Sequence, residues 1–370
     1  MTESKSKKIC IVASSLGKGG AERSCAQLSF LLNSLGYEVH MVTVLNKIAY
    51  EFKGELLNLG EFKDKDNSIL GRIKRFRYFK KYLKEQCFDV IIDNRSRTAA
   101  MREYWVTSSL YKNQKVVYVL HNFNYRSVFT AYRWLNILLY KEKQMVTVSK
   151  AANQEFKELL GLKNITTIYN GFDFNKNFEQ AKQLLSEEIK DDYIIYFGRL
   201  NNEAKNIILL LDAYKQSQLP AQNVKLMILG NGPDYGMLKQ YVSKLGLEDK
   251  VLFKAYCANP YPYVKKALFS LLTSRYEGFP MVIPESLGLG TPVISVDCKS
   301  GPSEVIVTGK NGVLVENFNV EALSKAMDSF IFDEVLYQTC KANAKQSVER
   351  FSLKCIADDW KNLLNLIDEK

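Results

Sequence analysis

Residues 273–304, TSRYEGFPMVIPESLGLGTPVISVDCKSGPSE, decide the reading of the fold. Just before them, Ala267–Leu272 is an apolar run of buried-strand length. The chain then turns through Ser274–Pro280, and a helix is expected from about Met281. Pro284 falls within its first turn, where a missing N–H costs little. Glu285 sits on that turn, and Gly288 and Gly290 stop the helix early. Thr291–Val296 reads as the next buried strand, followed by a polar loop ending Gly301-Pro302-Ser303-Glu304. The result is a strand–loop–helix–strand unit with Glu277 and Glu285 directed at the loop. The helix start offers unpaired N–H groups and a positive dipole end, a combination that suits anions. One Glu at such a place reads as a cap; two flanking Gly-Phe-Pro ask for more.

Outward from this unit the same grammar repeats. Tyr193–Leu200, Val224–Gly230 and Val251–Ala255 read as strands, separated by helices over Asn206–Lys215 and Tyr235–Leu245. The first half begins with strand Lys8–Ala13 and the glycine loop Ser14–Gly20. A helix from about Ala21 and the strand Tyr37–Leu45 follow, and further apolar strands lie near Val90–Ile92, Val116–Leu120 and Met145–Val148. Strands alternating with helices imply an α/β architecture of two doubly wound, Rossmann-like domains in series. The carboxyl ends of both sheets should then line a cleft. The domain boundary is expected near Asn170–Asn177, where Asn170-Gly171-Phe172-Asp173 carries turn chemistry. This divides the chain into residues 1–172 and 173–351, with Ala181–Asp192 as a polar lead into the second. The last amphipathic stretch, Phe351–Ile367, puts Ile356, Trp360, Leu363, Leu364 and Ile367 on one stripe.

Composition narrows the function classes. The 370 residues contain no run of 18 apolar residues, and Met1–Lys8 is polar and basic with no signal-length apolar stretch after it. Seven cysteines lie scattered without a C-x-x-C pair, and there are two histidines. Buried thiols in a reducing compartment are therefore expected, rather than a disulfide framework or a metal site. Residues 1–175 carry 28 Lys/Arg against 16 Asp/Glu, while the remainder carries 23 against 24. The positive excess belongs to the first half, which should meet an anionic partner.

The glycine loop Gly17-x-Gly19-Gly20-Ala21-Glu22 does not support a nicotinamide site. Glu22 stands where a third glycine is needed, and the second strand ends Val44-Leu45-Asn46 without a ribose-binding acid. Glu22 and Arg23 also read as first-turn helix residues facing water. Glu277, seven intervening residues, Glu285 and then Gly290-Thr291-Pro292-Val293 resemble the donor site of retaining family 4 glycosyltransferases. Gly19-Gly20-Ala21-Glu22-Arg23, Gly198-Arg199-Leu200 with Lys205, Gly230-Asn231-Gly232-Pro233, Asn170-Gly171 and Gly301–Glu304 follow in that family's order. One departure is Ala255, where a glycine is often found.

The resemblance implies a GT-B fold whose C-terminal helix, residues 352–368, returns to the N-terminal domain; periodicity alone fits a helix on its own domain equally. It implies an acceptor-binding first domain and a donor-binding second. Gly19 and Gly20 would let backbone approach the donor phosphates, and Gly198, Gly230 and Gly232 would line the nucleotide. Glu285 would hold the ribose hydroxyls. Glu277 and the backbone of Gly278, Phe279, Pro280, Met281 and Val282 would grip the sugar and distal phosphate. Arg199 and Lys205 would stabilise the leaving diphosphate in place of a metal, so no cofactor is expected. His121, directly after a strand, would touch the transferred sugar; a lone histidine there is also an ordinary structural residue.

Residues 69–86, ILGRIKRFRYFKKYLKEQ, place Ile69, Ile73, Phe76, Phe79 and Leu83 at helical spacing among Arg72, Lys74, Arg75, Lys80 and Lys81. The expected arrangement is an apolar face turned inward and a basic face toward anionic lipid or a lipid-linked phosphate. The same pattern fits a plain domain helix, and no nucleic-acid motif accompanies the charge. Together these readings give a glycosyltransferase moving a hexosyl or N-acetylhexosaminyl group from a nucleotide sugar, UDP-linked by preference. The acceptor would be a lipid-linked glycan or polysaccharide at the inner face of a cell membrane. A GT-B epimerase, a soluble glucan synthase or a non-catalytic nucleotide-sugar binder are the alternatives.

Overall fold

The computed structural model describes residues 6–17, 19–185 and 189–369. The chain forms two compact units, one of Met1–Gly171 with Leu353–Lys370 and one of Phe172–Ser352. Part of the polar lead, residues 186–188, lies outside the described residues.

The first unit runs β1 (Lys8–Ala13), α1 (Gly20–Ser34), β2 (Glu38–Thr43), β3 (Glu55–Asn58), α2 (Leu59–Lys65), α3 (Ile69–Gln86), β4 (Val90–Asp93) and α4 (Ala100–Trp105). After a π-helical turn at Val106–Leu110 it continues β5 (Val116–Leu120), α5 (Tyr125–Val128), α6 (Arg133–Tyr140), β6 (Gln144–Thr147), α7 (Lys150–Leu160) and β7 (Asn164–Thr167). All seven strands are parallel, in the order β3-β2-β1-β4-β5-β6-β7. The order reverses between β1 and β4, and there the connecting loops part to leave a crevice at the carboxyl ends.

The second unit comprises α8 (Phe174–Gln180), β8 (Tyr193–Phe197), α9 (Asn202–Lys205), α10 (Ile207–Gln216), β9 (Lys225–Leu229), α11 (Tyr235–Lys244), β10 (Val251–Lys254), α12 (Tyr261–Lys266) and β11 (Ser270–Leu272). It closes with α13 (Val282–Gly288), β12 (Val293–Val296), α14 (Pro302–Val305), β13 (Gly312–Val315), α15 (Val320–Phe332) and α16 (Glu334–Ser347). Its parallel sheet is ordered β10-β9-β8-β11-β12-β13, reversing between β8 and β11. The central strands β8, β11 and β12 are buried along their whole length and mainly apolar, as a sheet covered on both faces requires. On β8, Ile194 and Tyr196 join one core while Tyr193, Ile195 and Phe197 join the other, the period of two expected of a strand.

The last helix, α17 (Leu353–Asp368), belongs to the first unit, where Ile356 and Trp360 pack beside Leu28 and Leu31 of α1. Asp368 pairs with Lys7, and Lys115 Nζ donates to the Ile367 carbonyl at 2.9 Å.

Two expectations change. The strand expected over Ala267–Leu272 is regular only at Ser270–Leu272, because α12 runs to Lys266 and leaves three residues of lead-in. Helix α3 has the expected bounds, but Ile69 and Ile73 are exposed; the core receives Phe79 and Leu83. Eighteen helical residues span about 27 Å, whereas the four residues of β4 span about 13 Å. The helix is therefore longer than the strands beneath it, and its C-terminal half takes the core contacts.

Trp360→Ala removes a buried indole from the α1–α17 contact and should cost about 3–5 kcal/mol, read as a lowered urea midpoint.

Candidate active site

The second unit's site is built at its reversal point. After β8 the chain passes Gly198, Arg199 and Leu200 into the short α9, whose last residue is Lys205. Asn201 Oδ1 caps α9 by accepting from the Ala204 N–H at 2.8 Å. After β11 comes Thr273–Glu277, and the two loops are tied together. Thr273 Oγ1 donates to the Lys205 carbonyl (2.9 Å) and the Arg275 N–H to the Ala204 carbonyl (2.9 Å). Arg275 Nη2 donates to Asn206 Oδ1 (2.9 Å). Across this seam Lys205 Nζ meets Glu277 Oε1 at 2.5 Å, and Ser274 Oγ donates to the same oxygen at 2.6 Å. Both charged side chains are largely buried. Behind Glu277, Ser300 Oγ donates to the Gly278 carbonyl (3.0 Å), and the Glu277 N–H donates to the Lys299 carbonyl (2.9 Å).

Arg199 lies on the same loop with its guanidinium exposed. Its carbonyl accepts from Tyr196 Oη at 3.0 Å. Burial, and secondarily the Glu277 carboxylate, push the Tyr196 phenol far above its ordinary pKa, so it remains a donor. The glycines let neighbouring loops touch by backbone. A Cβ on Gly230 would fall 1.9 Å from the Gly198 carbonyl oxygen, and one on Gly232 would fall 2.1 Å from that of Leu200.

Glu285 is buried on the first turn of α13, and Met281 and Val282 are half-buried at its start. Phe279 turns its side chain away from the loop. Its ring is buried against Phe351 (5.4 Å) and Phe172 (6.4 Å), so only its backbone remains on the loop. Pro280 is likewise packed beneath Gly301.

The first unit has its own crevice at the β1/β4 reversal. A cavity of about 280 Å³ is lined by Ser15, Glu22, Arg95, Arg97, His121 and Asn122, from the loops after β1, β4 and β5. Glu22, for which the sequence left open a water-facing reading, is half-buried at this cavity. Its carboxylate turns back over Gly19, where an added Cβ would fall 2.1 Å from Oε2, and Oε1 accepts from Ser15 Oγ at 3.4 Å. Arg95 is buried and forks onto Asp93 (2.9 and 2.7 Å), with Glu103 at 3.5 Å. Arg97 is fully buried; its terminal nitrogens donate to the Asp93 and Val119 carbonyls, while Nε has no partner among the described residues.

His121 lines this cavity, and Asn94 fixes its tautomer. Asn94 Nδ2 is directed to the Ile92 carbonyl (3.4 Å), leaving Oδ1 2.8 Å from His121 Nε2. Oδ1 can only accept, so Nε2 carries the proton and Nδ1 keeps its lone pair. Burial, followed by the nearby Arg97 charge, lowers the imidazole pKa to about 4. His121 is therefore a neutral acceptor of hydroxyl protons at ordinary pH.

The structure brings Lys205 and Glu277, which the sequence reading placed on the diphosphate and on the sugar, into one ion pair; Ser274, Ser300, Asn94, Arg95 and Arg97 were not singled out from the sequence. For the last pair a signal existed: the polar run Asn94-Arg95-Ser96-Arg97 directly follows a buried strand. Arg72, Lys74, Arg75, Lys80 and Lys81 lie on α3, away from these loops in sequence. Among the described residues no group of three His, Cys, Asp or Glu side chains is placed to hold a metal.

The description "Glycosyltransferase Family 4" matches residues 18–176, and "Glycosyl transferases group 1" matches 176–347. A relative from Campylobacter jejuni is named N-acetylgalactosamine-N,N'-diacetylbacillosaminyl-diphospho-undecaprenol 4-alpha-N-acetylgalactosaminyltransferase. It is 31% identical over 370 residues, covering 95% of this chain and 98% of its own. The chain is a family 4 glycosyltransferase. Lipopolysaccharide 1,6-galactosyltransferase of Escherichia coli is 33% identical over 40% of this chain and 42% of its own. The fold is GT-B. Anabaena Alr3699/HepE, solved with UDP-glucose, superposes with a TM-score of 0.77 at 21% identity, covering 97% of this chain and 99% of its own. Sucrose-phosphate synthase of Thermosynechococcus elongatus gives 0.79 at 18%, covering 98% and 99%.

The lowered His121 pKa makes a signed prediction for this glycosyltransferase. Between about 6.5 and about 4 the unfolded chain binds a proton that the folded chain does not. The stabilising contribution of a neutral His121 is complete above that window and is lost as pH falls through it. Urea midpoints of wild type and His121→Gln at pH 7, 5.5 and 4 should show the wild type losing ground at each acid step. A constant difference would contradict the assignment.

Proposed function

We propose that this enzyme is a retaining transferase that moves a hexosyl or N-acetylhexosaminyl group from a UDP-sugar to a lipid-linked glycan in cell-surface glycan assembly. The observation that carries this reading is the Lys205–Glu277 pair at the reversal of the second sheet, beside the exposed Arg199. The name of the Campylobacter relative, with its diphospho-undecaprenol acceptor, and the UDP-glucose complex of the Anabaena protein support the substrate classes.

In this reading the second unit binds the donor. Gly198, Gly230 and Gly232 admit the nucleotide, Glu285 takes the ribose hydroxyls, and Arg199 and Lys205 face the diphosphate. The acceptor hydroxyl oxygen bonds to the anomeric carbon as the bond from that carbon to the β-phosphate oxygen breaks. The hydroxyl proton passes to the departing β-phosphate, giving glycoside and UDP. Negative charge grows on UDP during this step, and fixed cations in a partly dry site stabilise it without reorganising. Glu277, held by Ser274 and Lys205, orients the sugar hydroxyls. His121 Nδ1 accepts from a hydroxyl of the transferred sugar. Protein cations serve in place of a metal, so transfer should survive EDTA. The basic residues Arg72, Lys74, Arg75, Lys80 and Lys81 of α3 rest on anionic lipid at the cytoplasmic membrane face.

Arg199→Ala should lower transfer from UDP-sugars to a polyprenyl-diphosphate-linked acceptor by about 10²–10³-fold with an unchanged urea midpoint, since its side chain is exposed. Lys205→Ala should lose as much activity, with a measurable loss of stability. A wild-type protein that consumes no nucleotide sugar with any such acceptor would sink the reading, and donor epimerised without acceptor would favour the epimerase alternative.

A further inference from the structure

Three helices of the first unit each display an apolar pair to solvent at i,i+4 spacing. Ile69 and Ile73 on α3 are 75% and 44% exposed, Met101 and Trp105 on α4 are 74% and 55%, and Trp134 and Leu138 on α6 are 66% and 69%. Residues four apart project from one side of a helix, so each pair is a deliberate stripe rather than scatter.

The topology puts the three stripes on one surface. The crossovers β3–α3–β4, β4–α4–β5 and β5–α6–β6 all advance in the same direction across a parallel sheet. Right-handed connections then place α3, α4 and α6 on the same face. Their inward residues confirm it: Phe79 of α3, Val106 just after α4 and Leu135 of α6 share one core with Cys10, Ile91 and Tyr118 of the sheet. Lys80 Nζ of α3 also donates to Ser109 Oγ of the π-helical turn (3.1 Å). Helices in such a layer start at the carboxyl rim of the sheet. The pairs on α3 and α4 lie in the first turns and Trp134 opens α6, so the stripes gather toward the rim that holds Arg95, Arg97 and His121.

The charge around them has one sign. Residues 69–143 contain sixteen Lys/Arg against five Asp/Glu, a net +11, and two of the five, Asp93 and Glu103, are buried with Arg95. Exposed Arg72, Arg102 and Arg133 flank the three apolar pairs. Water-facing apolar clusters of this extent mark contact sites. Tryptophan with basic neighbours is the composition suited to a lipid interface, where the ring is half-immersed and the cations meet phosphate.

We propose that the outer surface of the α3–α4–α6 layer is a three-point membrane anchor, with Trp105 and Trp134 inserted at the head-group level of an anionic bilayer. This rests on the lipid-linked acceptor reading above and extends it from one basic helix to a surface that sets the acceptor-side rim against the bilayer. An acceptor sugar on a lipid diphosphate then stands near the cavity loops without the lipid tail leaving the membrane.

The chain has three tryptophans, and the third, Trp360, is buried, so Trp360→Phe leaves Trp105 and Trp134 as reporters. Adding phosphatidylglycerol-containing vesicles to that variant should shift emission to the blue, and lipids brominated near the head group should quench it. Trp105→Ser/Trp134→Ser should bind those vesicles at least about tenfold more weakly, while turning over a water-soluble, short-chain acceptor at the wild-type rate. Vesicle binding with no change in emission would overturn the anchor and leave α3 charge alone as the contact. Concentration-dependent dimerisation abolished by the double substitution, without vesicle binding, would overturn it in favour of a second copy. Failure of the wild type to glycosylate the soluble acceptor would count against the transferase reading instead, because that assay needs no membrane.

Discussion

A parallel sheet built from right-handed crossovers cannot grow in one direction only and still cover both faces; the chain must return to the middle and build outward the other way. Both units of this protein do so once, beside β1 and beside β8. At each reversal the loops leaving adjacent strands diverge, and the gap collects side chains that have no place in an apolar core. Lys205, Glu277 and Ser274 gather at one gap, and Glu22, Arg95, Arg97 and His121 at the other. Beside the second gap, at the ends of the paired strands β8 and β9, Gly198 and Gly230 let backbone approach backbone.

Charge is tolerated at these gaps where it is paired or hydrogen-bonded, and even Arg97, without an ionic partner, donates to two backbone carbonyls. An isolated charge taken out of water is costly, whereas a paired and hydrogen-bonded one is held in a single geometry. Glu277 has Lys205 and Ser274; Arg95 has Asp93 and Glu103. His121 takes the other route and stays neutral, with Asn94 choosing which nitrogen keeps the proton. The second unit thus gathers Lys205 and Glu277 at its gap, and the first holds a mixed polar cavity at its own.

The layer of α3, α4 and α6 shows what happens when element lengths disagree. A long helix over shorter strands cannot bury the whole of its apolar stripe against the sheet. The periodicity of Ile69, Ile73, Phe76, Phe79 and Leu83 is continuous, yet the burial is not. Residues that would otherwise be core become surface, and here that surface is both apolar and basic.

Read alone, the chain determines its alternation of strand and helix, the doubly wound class, and the glycine-marked loops after β1, β8 and β9. These are local: apolar runs four to six residues long and φ-permissive glycines act over a few neighbours. The bounds of α3 and of β5 are legible for the same reason. Lys205 and Glu277, 72 positions apart, could each be matched by resemblance, but Ser274, Ser300 and Asn94 could not be given partners. Their roles depend on which strand ends lie side by side. The inward turn of Glu22 and the burial of Phe279 against Phe351 were likewise decided by packing. So was the exposure of Ile69 and Ile73, because a side chain's surroundings follow from where its element ends relative to its neighbours, and no pattern within the element carries that length.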